Sequence, residues 1–171
     1  MTDAPTSAPQ VSSRATPAAP RIFLCVVDET AEMGVAIHYA ARRARSTGGH
    51  VALLYVMEPT GLQHWGAVEA LMQEERRTEA EQTVQRLAKQ VNTIAGTMPA
   101  LYIREGSLRD EVLKTIDEDP TISVLVLGAG TGPEGPGPLV SYLTGKGVMR
   151  LRVPLTIVPG NLTPEQVDLI S

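Results

Sequence analysis

The stretch ISVLVLGAGTGPEGPGPLVSYLTGKG, residues 122–147, decides how the chain is read. An apolar run from Ile122 to Leu127 stops at Gly128, and Gly128 to Pro138 then holds five glycines and three prolines. An apolar helical pattern begins at Leu139 and is followed by Gly145, Lys146 and Gly147. A buried strand, a glycine-rich turn and a helix in that order present backbone N–H groups and a helix N-terminus to an anion. The stretch is therefore a candidate phosphate-binding loop.

Working outward, the same alternation recurs. RIFLCVV (21–27) and VALLYVM (51–57) are continuous apolar runs, the pattern of strands covered on both faces. ALYIR (100–104) and VPLTIVP (153–159) give two more strands, with prolines at the ends of the last. Between them lie helical patterns. Met33, Ile37, Ala40 and Ala44 follow a Thr30 N-cap and end at Gly48 and Gly49. Ala80, Val84, Leu87, Val91 and Ile94 end at Gly96, and the charges of residues 74–81 face the other way as a solvated surface. Leu108, Val112 and Ile116 follow a cap predicted at Ser107 with Asp110. Thr163, Pro164, Glu165 and Gln166 carry a capping-box signature for a short last helix. Residues 61–79 read as a loop running into a helix, with lid and helix both open; Trp65 is expected to pack the helix start. This order predicts an α/β domain: three layers, a five-stranded mainly parallel sheet and helices on both faces.

At 171 residues the chain suits one domain. The division expected is a disordered tail over 1–20, with four prolines, a domain over 21–160 and a short extension over 161–171. Net charge −4 and a pI near 5.4 argue against a nucleic-acid binder. No run approaches the ~20 apolar residues of a membrane span, and no apolar core marks a leader, so a cytoplasmic protein is expected. The lone Cys25 sits in an apolar run and is expected to be buried and inert. His38, His50 and His64 lack metal-ligand spacing. No Ser-His-Asp or Cys-His set is present, and no G-x4-G-K-[S/T] loop, because Gly145-Lys146 runs into Gly147. A response-regulator receiver would need an aspartate where Glu105 stands and a lysine where Pro159-Gly160 stands.

In an open parallel sheet, ligands bind beyond the carboxyl ends of the strands where the strand order reverses. If strands one and four are neighbours, Asp28 and Gly128 form the two lips of one crevice. An acidic group able to accept from a base or ribose hydroxyl then faces a phosphate loop, which points to a nucleotide.

VVDET (26–30), LYVMEP (54–59), the glycine after strand four and VPLTIVPG (153–160) together resemble the universal stress protein family over roughly residues 21–160. The resemblance implies a Rossmann-like domain. In its ATP-binding members it implies an Asp after strand one, a Val near the end of strand two and a loop of form G-x2-G-x9-G-[S/T]. Asp28 matches the Asp, Val56 the Val and Gly128 the first glycine. Thr131 stands where the second glycine belongs, but Gly132, Gly135 and Gly145 recover the spacing about four residues later. Lys146 replaces the final Ser or Thr, removing a hydroxyl that could meet phosphate or Mg²⁺ and supplying a point charge instead.

The sequence thus leads to a stress-response protein binding ATP, with or without Mg²⁺, or a related adenine nucleotide between strands one and four. With no general base poised for hydrolysis, binding or slow turnover is expected, the nucleotide acting as a conformational ligand. The alternative is a nucleotide-free interaction protein with a degenerate loop. The resemblance implies a homodimer through strand five, Leu155 to Val158. A phosphohydrolase has no acid–base constellation behind it.

Overall fold

The computed structural model describes residues 19–59 and 66–171. The tail predicted over 1–20 falls almost wholly outside them, as do His64 and Trp65. Five strands, β1 (Ile22–Val27), β2 (His50–Met57), β3 (Ala100–Glu105), β4 (Ile122–Ala129) and β5 (Leu155–Pro159), form one parallel sheet in the order β3-β2-β1-β4-β5. The helices are α1 (Ala31–Thr47), α2 (Ala67–Ala95), α3 (Leu108–Glu118), α4 (Pro138–Thr144) and α5 (Pro164–Ile170), with a 3₁₀ segment at Lys146–Arg150. The order reverses between β1 and β4, so the switch point lies where the sequence placed it.

Alternate strand residues face two separate cores. Phe23, Cys25, Val27, Val51 and Leu53 pack with α1 and α2. Leu24, Val26, Leu54, Leu125 and Leu127 pack with α3 and α4. The continuous apolar runs are explained by this double burial. Cys25 is buried, and burial pushes its thiol up to about 12.

Helix ends follow local chemistry. Thr30 Oγ1 accepts from Met33 N at 3.3 Å, and α1 ends on Gly48 at φ +67°. α5 carries the full capping box: Gln166 N donates to Thr163 Oγ1 at 3.3 Å, and Thr163 N donates to Gln166 Oε1 at 2.9 Å. It docks on α1 through buried Val167 and through Asp168 Oδ1, which lies 2.8 Å from His38 Nε2 and 3.0 Å from Arg42 Nε. The His38 contact, with Arg42 behind it, holds the Asp168 carboxyl below its usual range. His38 thus ties down the last helix, one of the structural roles the sequence left open.

Two expectations are corrected, and the open reading of residues 61–79 is settled from Ala67 onward as helix. The run Ile122 to Leu127 does not stop at Gly128: β4 continues through Gly128 and Ala129, which pair with Val158 and Pro159. α2 begins at Ala67, thirteen residues before the buried pattern starts at Ala80. At α3, Ser107 makes no side-chain cap; Glu58, fifty residues away, accepts from Leu108 N at 3.0 Å instead. A carboxylate suits the positive end of the helix better than a hydroxyl.

Candidate functional site

The carboxyl end of the sheet opens into two adjoining cavities. One, of about 490 Å³, lies between β1, β2 and α2 and is lined by Asp28, Val56, Glu58, Arg76 and Glu79, among others. The other, of about 190 Å³, lies between α1, β4 and the start of α4, with Asp28, Glu32, Gly128, Gly137 and Leu139 in its wall. Asp28 and Leu108 belong to both.

Asp28 sits at the turn from β1 into α1. Its Oδ1 accepts from Thr30 N at 2.9 Å and from Thr30 Oγ1 at 2.6 Å, closing an Asx turn. Among the described residues Oδ2 has no partner. One carboxylate oxygen is committed to the fold, and the other is available to a ligand at the junction of the cavities. Val56, half-buried at the end of β2, supplies an apolar wall to the larger one.

Gly128 has a different reason to be glycine. A Cβ there would lie 2.3 Å from the Glu32 carbonyl oxygen and 2.6 Å from its carbon. The first turn of α1 rests directly on β4, and Gly160 accommodates the same turn from β5. The glycine-rich loop then turns sharply. Gly135 N donates to Gly132 O at 3.1 Å, and Gly135 has φ +82°. Gly132-Pro133-Glu134-Gly135 is thus a closed β-turn with glycine at its fourth position. A Cβ on Gly132 would meet nothing within 4 Å; Gly135 has the same open space but its positive φ favours glycine. Their backbones face open space, as a loop that admits a ligand requires.

Gly145 and Lys146 are placed elsewhere. They follow α4, seven residues beyond Pro138, or about 10 Å along the helix. Asp28 therefore joins Val56 in one cavity to Gly128 and residues 136–140 in the other, whereas Gly132, Gly135, Gly145 and Lys146 line neither, the last two lying at the end of α4.

The charge at the crevice is mostly negative. Asp28, Glu29, Glu58 and Glu79 line the larger cavity together with a single cation among the described residues, Arg76. Arg76 is itself engaged, donating from Nη2 to the Glu58 carbonyl, and Gln73 Nε2 donates to Glu105 Oε2 at 3.0 Å. These contacts hold the first half of α2 over the ends of β2 and β3. At the loop, Glu32 Oε1 would lie 3.3 Å from a Cβ on Gly130, so a carboxylate reaches the glycine-rich loop. Sequence reasoning passed over Glu32 because an acid in a first helical turn has a sufficient local explanation. Glu58 was missed because nothing local marks a contact across fifty residues. Among the described residues no group of three His, Cys, Asp or Glu side chains could hold a metal.

A parallel five-stranded sheet with helices on both faces and a reversal of strand order between β1 and β4 defines the doubly wound α/β class, in which ligands bind at the switch point. The universal stress protein family model matches residues 20–159, and the chain belongs to that family. The sheet matches UspA from Lactobacillus plantarum at 20% identity and a TM-score of 0.66, covering 82% of this chain and 97% of that one. It also matches a universal stress protein solved in complex with cAMP, at 14% identity and a TM-score of 0.53, over 84% and 99% of the two chains. A third match is the Archaeoglobus fulgidus protein in complex with dAMP, at 17% identity and a TM-score of 0.51, over 81% and 95%. At these identities the likeness establishes the fold. No curated protein sequence matches significantly. No described helix is long and apolar enough to cross a membrane.

Proposed function

We propose that this protein is a ligand-responsive stress regulator of the cytoplasm that binds an adenine nucleotide across the β1–β4 crevice. The observation that carries this is the position of Asp28, whose Oδ2 has no partner among the described residues where the two cavities meet. The nucleoside would lie along Val56 in the larger cavity, with its hydroxyls on Asp28, and the phosphate end would point to the loop before α4. The neighbours solved with cAMP and dAMP lend support, since both ligands are adenine nucleotides carrying one phosphate.

The residues present fit the nucleoside half better than a triphosphate. Glu32 reaches the loop, Lys146 stands at the far end of α4, and Asp28, Glu29, Glu58 and Glu79 line the larger cavity with one arginine. Each added phosphate charge meets this field without a matching cation. The ligand best suited is a monophosphate or cyclic nucleotide, with ATP a weaker one and Mg²⁺ entering only with its phosphates. Binding would act on the first half of α2 through Arg76 and Glu79 and so shift a population that a partner reads. Titration calorimetry with AMP, cAMP and ATP tests this. Saturable binding, tighter for the monophosphates and lost in Asp28→Ala, is expected. No saturable heat with any of the three would sink the proposal.

A second reading is a dimer that works without nucleotide. β5 is an edge strand, and Ile157 on it is 38% exposed, so Leu155 to Val158 offers a second copy both main-chain groups and an apolar side chain. Native mass spectrometry separates the two readings by reporting oligomer and retained ligand together.

A further inference from the structure

A third cavity lies at the opposite, amino end of the sheet. It measures about 310 Å³ and is set between α1 and the starts of β1, β4 and β5. Its polar lining is Arg21, Tyr39, Arg43, Ser123 and Thr156, and no carboxylate lines it. Phe23, Val124 and Pro154 give it an apolar floor.

Arg43 is the unusual member. Its neighbours on α1 are satisfied: Arg42 pairs with Asp168 at 3.0 Å, and Arg45 Nη1 donates to the Ile94 carbonyl at 3.3 Å. Arg43, half-buried between them, has no acceptor for its guanidinium among the described residues, and neither does Arg21. The Tyr39 and Thr156 hydroxyls also lack partners among the described residues, whereas Ser123 Oγ already donates to the Thr121 carbonyl at 3.1 Å. Tyr39 and Arg43 are four residues apart and share one face of α1. Half-buried Tyr39, Arg43 and Thr156 and exposed Arg21 thus line one cavity, and among the described residues their side-chain donors meet no protein acceptor and stay open to solvent or a ligand.

We propose that this cavity is a second ligand site, specific for a phosphate dianion carried on a small organic group. Two guanidinium forks match the oxygens of a dianion and form charge-assisted hydrogen bonds that a single carboxylate would only half use. The Tyr39 and Thr156 hydroxyls add donors, and the Phe23, Val124 and Pro154 floor receives the apolar part. The site is independent of the crevice at the other end of the sheet.

The test is an amide NMR titration of the full chain at fixed ionic strength with inorganic phosphate, phenyl phosphate and acetate. Saturable shifts at Arg21, Tyr39, Arg43 and Thr156 are expected, with phenyl phosphate binding tighter than inorganic phosphate and acetate weakest. Inorganic phosphate binding as well as phenyl phosphate would instead assign a free-phosphate site and overturn the organic part. Arg43→Gln is expected to weaken phenyl phosphate about tenfold or more. Arg21→Gln, at an exposed position, is expected to weaken it several-fold even if the Arg43 variant does not fold. Shifts that stay linear, shifts confined to Asp28 and the β4 loop, or unchanged affinity in Arg21→Gln overturn the site. AMP binding at the crevice should survive both substitutions, so failure here and failure of the crevice reading are separate results.

Discussion

The molecule contains two D-x-T turns, Asp28-Glu29-Thr30 after β1 and Asp119-Pro120-Thr121 before β4. Both close in the same way. In each, Oδ1 accepts the threonine N–H at 2.9 Å and the threonine hydroxyl. They differ at the other oxygen. Asp119 Oδ2 accepts the Tyr102 phenol from β3, while Asp28 Oδ2 opens onto the junction of two cavities. The same local chemistry is therefore structural at the amino end of the sheet and, among the described residues, leaves an acceptor without a partner at the carboxyl end. A turn motif read alone cannot tell the two apart; the strand beside it does.

The difference can be broken at several levels. Gly128→Val has the largest expected effect, because its Cβ would overlap the backbone of Glu32 and push α1 off β4. A loss of about 3 kcal/mol or more is expected in chemical denaturation, whereas Gly132→Ala, in open space, should stay within about 0.5 kcal/mol of wild type. Next comes the pair Asp119→Ala and Asp28→Ala. The closed turn should lose about 2 kcal/mol and the open one about 1 kcal/mol, while only Asp28→Ala abolishes nucleotide binding. Equal stability losses with nucleotide binding intact in both would erase the distinction.

Tyr102 sharpens it by pH. Burial, and then the bond to Asp119, push its phenol up to about 12, so its phenolate absorbance should be absent until strongly alkaline pH. The bonds from Thr121 and Tyr102 hold the Asp119 carboxyl below its usual range. A lowered carboxyl stabilises the fold above the unfolded value, ~3.9. That contribution is lost as pH falls through the lower folded value. Tyr102→Phe should cost about 1 kcal/mol at neutral pH, and less once acid has protonated Asp119. A constant cost across the acid limb would contradict the linkage. The smallest effect is at Glu32→Gln, which should strengthen ATP about threefold relative to AMP by removing a screened surface charge from the loop. No change in the ratio would mean that the phosphates lie elsewhere.

Most of the fold was legible because it is local. Continuous apolar runs marked β1 and β2, Thr30 and Gly48 bounded α1, and the Thr163–Gln166 box announced α5. The first half of α2 was not legible, since residues 67–79 are almost wholly exposed and carry no buried stripe for periodicity to detect. Of the candidate site, the Asp28–Gly128 juxtaposition followed from topology. The placement of Lys146 did not, because matching the glycine spacing set aside the helical pattern already read from Leu139, which carries Lys146 to the end of α4. The amino-end cavity was invisible for the same kind of reason: Arg21, Tyr39, Ser123 and Thr156 come from four elements, and nothing in the spacing of those residues hints at a shared wall.

The contact between Gly128 and the first turn of α1 has a consequence for tracing descent. A residue held by steric fit answers to a selective pressure that ignores occupancy. A lineage of this domain would carry glycine at 128 whether or not it bound a ligand, while Gly132, free of neighbours, could drift. The informative letters of the loop are therefore those the scaffold could afford to lose.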